Sequence, residues 1–114
     1  MPPVKQALLV GMSLFYVAGG IAHFLKPAYY VAMMPPFLPW HRGLVAVSGV
    51  AEIALGLAVL VPALRPWAAW GIVALLVAVF PANVYAAIEG IPGTGGYARL
   101  PFQALFIAWA WWYT

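Results

Sequence analysis

Residues 42–61 read RGLVAVSGVAEIALGLAVLV, an apolar run whose only interior charge is Glu52. An α-helix rises about 1.5 Å per residue, so about 20 residues cross the roughly 30 Å hydrocarbon core of a bilayer. The run therefore predicts a membrane-spanning helix. Glu52 lies about ten residues inside it, which places the carboxyl group about 15 Å from the helix end.

Three other apolar stretches surround this run, and turn-forming residues separate them. Pro62 and Pro66 flank a short turn, which predicts that the second and third spans are antiparallel neighbours. Residues 90–96, GIPGTGG, should break the third span from the fourth, which at about 21 Å is only just long enough to cross. We therefore predict one all-α domain over residues 1–114, a transmembrane four-helix bundle with helices at about 4–25, 42–61, 67–89 and 100–113.

The composition supports a multi-pass membrane protein with the lipid bilayer as its partner. Of 114 residues, 67% are hydrophobic and 6% are charged, whereas a water-exposed surface carries about a quarter to a third charged residues. The absence of cysteine excludes disulfides and thiolate metal sites. A scattered net charge of +3 argues against nucleic-acid binding. Two histidines and two acidic residues without ligand spacing predict no metal site.

Residues 26–41, KPAYYVAMMPPFLPWH, form a segment too apolar for an ordinary loop, and we call it the lid segment. Pro35, Pro36 and Pro39 prevent a continuous helix, and Trp40 is typical of the membrane–water interface. We expect this interfacial segment to cover one end of the bundle, with these four residues as the lid. A linker that simply rests on lipid fits the same residues.

The strongly polar residues inside the predicted spans lie in the half of the bundle nearest the lid segment. They are within about 15 Å of that end by helical rise. An intramembrane carboxyl group costs about 2.5–3.5 kcal/mol on insertion scales and therefore suggests a site. Interhelical hydrogen bonds that only fix helix pairing are the competing explanation. The candidate ligand-binding residues are Glu52, His23, Asn83, Tyr16 and Gln103.

Small residues near Glu52 predict a close helix–helix contact. Ser48, Glu52 and Gly56 recur at four-residue spacing and share one helix face. Small side chains on such a face let a neighbouring helix approach. We therefore expect Ser48, Gly49 and Gly56 to form a packing surface directed into the bundle.

The order of several short motifs resembles the DoxX-like family of small four-helix membrane proteins. The motifs are His23-Phe24 with Pro27, Met34-Pro35-Pro36-x-Leu38-Pro39, Ser48-Gly49-x-x-Glu52-Ile53-x-Leu55-Gly56, Pro62, Arg65, Ala69-Trp70-Gly71 and Phe80-Pro81-Ala82-Asn83. The resemblance implies a bacterial inner-membrane protein connected with a redox complex, such as a thiosulfate:quinone oxidoreductase, or with membrane-protein partners. Its pattern emphasises His23, Pro35, Pro36, Glu52, Gly56, Pro81 and Asn83.

The leading hypothesis is that the chain binds a small hydrophobic ligand, such as a quinone or a lipid, in a lidded intramembrane pocket. Glu52 would accept or share a proton, Tyr16 and Asn83 would orient the ligand, and His23 would be the titratable partner. No cofactor is evident, and a quinone is the candidate. No nucleophile with a base is visible, so the sequence leaves enzymatic activity open.

Two alternatives remain at this point. In the first, the chain is a non-catalytic partner or assembly factor for another membrane protein, or a homo-oligomer, and Glu52 serves only packing. In the second, it is a proton-coupled transporter resembling the small multidrug-resistance exporters. Their essential glutamate belongs on the first helix, whereas Glu52 belongs on the second predicted span.

Overall fold

The computed structural model describes residues 1–90 and 96–114, and the secondary structure of this part of the chain is helical, without a strand. The helices are α1 (Pro3–Leu25), α2 (Pro27–Ala32), α3 (His41–Ala58), α4 (Arg65–Glu89) and α5 (Arg99–Trp111). A 3₁₀ turn, Gly96–Ala98, precedes α5. The predicted all-α class is therefore confirmed.

Prolines and glycine set several of the helix ends. Proline stands in the first turn of α1, α2 and α4, where its missing N–H is not needed. Gly90, with φ 62°, ends α4 in the left-handed conformation. Of the predicted break at 90–96, residues 91–95 lie outside the described residues.

Helix α3 is shorter than predicted, since it ends at Ala58 rather than at residue 61. Residues 59–64 continue in tight i→i+3 turns instead. The Arg65 side chain then donates to the Val59 carbonyl at 2.8 Å and the Leu60 carbonyl at 3.3 Å. These bonds satisfy carbonyl groups that the end of α3 leaves without helical partners.

Helices α1 and α3 make the closest helix–helix contact, which we call the α1–α3 seam. A Cβ atom at Gly20 would lie 2.6 Å from the Gly49 carbonyl oxygen, and one at Gly49 would lie 2.9 Å from His23 Cβ. A Cβ atom at Gly56 would lie 3.2 Å from Tyr16 Cβ. The predicted packing residues Gly49 and Gly56 therefore lie in this seam.

The buried core joins α1 to α4 and α5 on the other side. Its centre contains Met12, Ala69, Ile72 and Ala110, all fully buried. Alanines on α4 and α5 let the larger α1 side chains fill the space between the helices. Beyond this core, Tyr113 closes one end by donating its hydroxyl to the Lys5 carbonyl at 2.8 Å.

Three helices, α1, α3 and α4, are long and apolar enough to cross a membrane. Large apolar side chains such as Leu14, Val50 and Val77 are more than half exposed on their outer faces. Contiguous exposed apolar surface of this kind is consistent with a membrane protein. Helix α5 has 13 residues and is not among the three, so the described helices do not by themselves confirm the predicted four-span bundle.

Candidate functional site

A cavity of about 220 Å³ lies at the end of the molecule where α1 ends and α3 begins. Residues from all five helices and from the lid segment line it. The five predicted ligand-binding residues are all among them, namely Tyr16, His23, Glu52, Asn83 and Gln103, and Ser48 joins them. The depth argument from the sequence therefore names residues that the fold brings together around one space.

His23 and Glu52 face each other across the α1–α3 seam. His23 Nδ1 lies 2.7 Å from the Gly19 carbonyl oxygen and 3.0 Å from Glu52 Oε2. A carbonyl oxygen only accepts hydrogen bonds, so Nδ1 carries the proton and donates it to Gly19. The carboxylate contact is close but makes no hydrogen bond, since Oε2 has no hydrogen-bond partner among the described residues.

Tyr16 carries a buried polar group without a partner at this site. Its side chain is 2% exposed, and its hydroxyl is buried without a hydrogen-bond partner in the described part of the chain. Buried polar groups are nearly always paired, because an unpaired one loses its bonds to water. Tyr16 and Glu52 thus both line the cavity; Glu52 is paired with His23, and the Tyr16 hydroxyl has no hydrogen bond in the described part of the chain.

Asn83 and Gln103 are placed differently, because they bond to each other. Asn83 Nδ2 donates to Gln103 Oε1 at 2.6 Å, and Gln103 Nε2 donates to the Leu76 carbonyl. Pro81 lies inside α4 and has no N–H to donate to the Val77 carbonyl. Gln103 therefore binds the helix beside the point where the proline interrupts its hydrogen bonds. One Nδ2 hydrogen of Asn83 is therefore committed to Gln103, and the ligand-orienting role of Asn83 stays a prediction.

The mouth of the cavity contains residues that the sequence analysis missed. Tyr30 of α2 stacks on the His23 ring, with centroids 3.9 Å apart and planes 13° from parallel. Burial, with the nearby charge of Glu52, raises the pKa of Tyr30, so a neutral phenol covers the imidazole. Arg99 Nη1 donates to the Tyr29 hydroxyl at 3.1 Å and lies 3.6 Å from Met33 Sδ. The position of Arg99 at the lid-side start of the last helix was the available signal.

The lid segment covers the cavity with its first half rather than with the predicted residues. Tyr30, Met33 and Met34 line the cavity. Of the predicted lid residues, Pro35 is fully buried and accepts a bond from His41 Nε2 at 3.1 Å. The others, Pro36, Pro39 and Trp40, are exposed and do not line the cavity. The first half covers the cavity because the short helix α2 directs Tyr30 inward, ahead of the three prolines in the chain.

Trp40, predicted as part of the lid, lies instead at the start of α3. It adopts φ 55°, an uncommon left-handed conformation for a bulky residue, at the start of α3. Its ring lies over Gly43, where any Cβ atom would overlap the indole. The pair therefore turns the chain sharply from the lid segment into α3.

No group of three or more histidine, cysteine, aspartate or glutamate side chains is close enough to hold a metal ion among residues 1–90 and 96–114. The chemistry that the described residues offer is a carboxylate beside an imidazole, a free phenol and an apolar wall. Such a set is suited to binding an amphipathic molecule and to holding a proton.

The fold and the site define a helical protein with an apolar exterior and a mainly apolar cavity that contains a few polar side chains. Residues 12–114 match the family described as Domain of unknown function (DUF8561), and the chain belongs to that family. No curated protein and no solved structure matches the chain.

The resemblance to the DoxX-like family is wrong, because the matching family is DUF8561 and no DoxX family matches. The motifs that suggested it consist mainly of proline, glycine and other small residues. These residues are common in membrane helices of many families, where they allow close packing. The redox complex that the resemblance implied has no support from the comparisons.

Proposed function

We propose that this protein is a multi-pass membrane protein, with four spans, that binds a small hydrophobic ligand in the cavity beneath the lid segment. The observation that carries the proposal is the cavity of about 220 Å³ bounded by Glu52 and by the buried, unpartnered Tyr16. A cavity of about 150 Å³ in another protein accepts benzene, so this space admits a ring with a short chain. A lipid or a quinone belongs to the ligand class that the proposal covers.

The proposal of four spans is supported by the contact between the two chain ends. The Tyr113 hydroxyl donates to the Lys5 carbonyl, and Lys5 Nζ lies 5.1 Å from the Trp112 ring centre. Helix α5 thus begins near the cavity and ends beside the start of α1. We propose that it crosses the same layer as α1 although it has only 13 residues. A bacterial inner membrane remains part of the proposal.

Within the cavity each polar residue has a distinct proposed role. Glu52 accepts or shares a proton with the ligand, and the adjacent His23 is its titratable partner. Tyr16 lines the cavity beside Glu52 and orients the ligand. Asn83 and Gln103 hold α4 and α5 together and so shape the wall.

The test is to fill the cavity without removing a polar group. Ala82 lines the cavity on α4, whereas Ala74 of the same helix is exposed on the outside. The wild type, Ala82→Trp and Ala74→Trp are purified in mild detergent, and their organic extracts are compared by mass spectrometry. A stoichiometric small molecule should accompany the wild type and Ala74→Trp and be lost from Ala82→Trp.

If no molecule accompanies the wild type above the level of bulk lipid, or if Ala82→Trp retains it, the proposed function is wrong. The control separates loss of the ligand from a general effect of an added tryptophan. Size-exclusion profiles of the three proteins establish whether each is folded.

A further inference from the structure

Arg99 brings a positive charge to the wall of the cavity, and this charge indicates what kind of head group a ligand carries. The inference rests on the proposed function, because it takes the cavity as a binding site. Two other basic residues belong to the same end of the molecule, since Lys26 begins the lid segment and Arg42 follows it. In the described part of the chain Arg99 lines the cavity, whereas Lys26 and Arg42 are exposed and do not.

The lid segment holds the guanidinium group of Arg99 at the mouth of the cavity. Arg99 Nη1 donates to the Tyr29 hydroxyl at 3.1 Å and lies 3.6 Å from Met33 Sδ. Arginine stays charged at every physiological pH, and its planar guanidinium group is suited to carboxylate and phosphate groups. The mouth of the cavity therefore favours an anionic group.

Helix α5 presents a polar-to-apolar gradient to the cavity. Arg99, Gln103 and Phe106 follow one another at spacings of four and three residues, so they share one helix face, and all three line the cavity. Phe106 lies seven residues, or about 10 Å, farther along the helix than Arg99. A head group at Arg99 thus leaves about 10 Å of depth along α5 for the body of a ligand.

The wall at that depth is apolar and aromatic. Phe15 packs against Phe106 with ring centres 5.1 Å apart. Leu75 and Val79 of α4 complete this side of the cavity. A ligand that matches this part of the space is therefore a hydrocarbon chain or ring.

The negative charge of the site lies deep in the cavity rather than at its mouth. Glu52 faces Gly19, where a Cβ atom would lie 3.4 Å from Glu52 Oε1. Gly19 is six residues, or about 9 Å, below the end of α1 at Leu25. Glu52 Oε2 is paired with His23 Nδ1 at 3.0 Å. An anion at the mouth therefore stays away from Glu52, whereas an anion inserted head first would approach a second carboxylate.

We propose that the cavity takes a single-chain anionic amphiphile, a molecule with one hydrocarbon chain and a carboxylate or phosphate head group. The head group binds the Arg99 guanidinium group at the mouth, and the chain extends toward Phe15 and Phe106. Charge at the membrane surface and hydrocarbon inside is also the orientation of the lipids around a membrane protein. An alcohol with the same chain fills the same space without the charge, and an ammonium head group is repelled by Arg99.

The experiment uses four probes that share one chain and differ in charge: octanoate, octyl phosphate, 1-octanol and octylammonium. Each is distributed by equilibrium dialysis at neutral pH between the full chain in phosphatidylcholine nanodiscs and empty nanodiscs, which corrects for partition into lipid. A hydrogen bond between charged groups is worth about a tenfold change in affinity. We expect one anion or both to bind about tenfold more tightly than 1-octanol, and octylammonium to bind more weakly. The anion that binds more tightly identifies the head group as carboxylate or phosphate.

Variants locate the effect. Arg99→Gln should weaken binding of the preferred anion about tenfold and leave 1-octanol unchanged. Arg99→Lys should keep part of the preference, because it retains the charge without the planar group. The matched controls Arg42→Gln and Lys26→Gln remove the same charge from exposed positions at the same end and should change neither probe. If Arg99→Gln fails to fold, Arg99→Lys and the comparison of probes on the wild type still decide the question.

Equal affinity for the anions and for 1-octanol overturns this inference but leaves the proposed binding function in place. Absence of binding by every probe overturns both. A preference for anions that survives Arg99→Gln, or that falls equally with Arg42→Gln, overturns the assignment of the head group to Arg99.

Discussion

Tyr16 and Gln103 are both buried polar residues, and they differ in whether the protein satisfies them. Gln103 both donates and accepts, to Leu76 and from Asn83. The Tyr16 hydroxyl does neither among the described residues. An unsatisfied buried group costs about 1–3 kcal/mol, so it persists in a stable protein only if something outweighs that cost. This difference is the reason for proposing a binding role for Tyr16 and a structural role for Gln103.

The substitution Tyr16→Phe tests this reading on the empty protein. Because no protein bond is lost, we expect the free energy of unfolding to stay within about 1 kcal/mol of the wild type or to rise. Tyr113→Phe is the control, since it removes a hydroxyl that donates to Lys5, and it should destabilise by about 0.5–1.5 kcal/mol. Thermal unfolding in detergent after ligand stripping measures both. A larger loss for Tyr16→Phe than for Tyr113→Phe would refute the interpretation.

At the scale of helices, the α1–α3 seam depends on glycine at points where two backbones nearly touch. Gly20 approaches the Gly49 carbonyl so closely that a methyl group has no room. Gly11 lies on the same helix with nothing within 4 Å of its Cβ position. An added methyl group should therefore have opposite effects on stability at the two glycines, although the sequence shows no difference between them.

We expect Gly20→Ala to destabilise the protein by about 1–3 kcal/mol, because the added methyl group forces the helices apart. Gly11→Ala should instead stabilise it by about 0.5–1 kcal/mol through helix propensity. Thermal unfolding in one detergent compares the two directly. Equal effects of the two substitutions on stability would contradict the close backbone contact at Gly20 in the α1–α3 seam.

The contact between α4 and α5 makes a second prediction at this scale. Replacing Asn83 or Gln103 by leucine leaves the other amide without its partner, so each single substitution should destabilise the protein. The double substitution should cost less than the sum by about 0.6–1.7 kcal/mol, the range for interhelical hydrogen bonds in membranes. A double-mutant cycle measures this coupling, and strict additivity would show that the two amides act independently.

The approximate positions of the four longer helices, the polar residues of the cavity and two seam glycines, Gly49 and Gly56, could be predicted from the sequence, whereas α2 and the contact at Gly20 could not. Polar residues are so few in these helices that their depths alone predicted that Tyr16, His23 and Glu52 lie close together. The partners of Asn83 could not be predicted, because Gln103 lies on another helix and pairing depends on how α4 and α5 rotate. The prediction of the lid residues failed because the turn of α2 decides which side chains face the cavity. The left-handed backbone of Trp40 could not be predicted from the composition of the segment.

At the scale of the whole molecule, the two ends differ in character. One end is fastened by Tyr113, Lys5 and Trp112, and the other contains the cavity and the lid segment. Between them lies an exterior of exposed apolar side chains. This arrangement puts the opening of the cavity at one membrane surface if the proposed four spans are present.

The absence of cysteine allows the topology to be mapped with single introduced thiols. Four spans place Pro2, Ala63 and Thr114 on one side of the membrane and Phe37 and Tyr97 on the other. All five are exposed positions. Cysteine at each should react with an impermeant reagent from one side only, in these two groups. Labelling of positions 2 and 114 from opposite sides would contradict the fourth span.

The shortness of α5 has a consequence for the surrounding lipid. Its 13 residues rise about 20 Å, while the hydrocarbon core of a typical bilayer is about 30 Å thick. If α5 is the proposed fourth span, lipids beside it must compress toward the helix, whereas lipids beside the 23-residue α1 and the 25-residue α4 need not. Such one-sided hydrophobic mismatch would give the protein a thin edge, favour short-chain lipids along that edge and bias the protein toward thinner regions of the membrane.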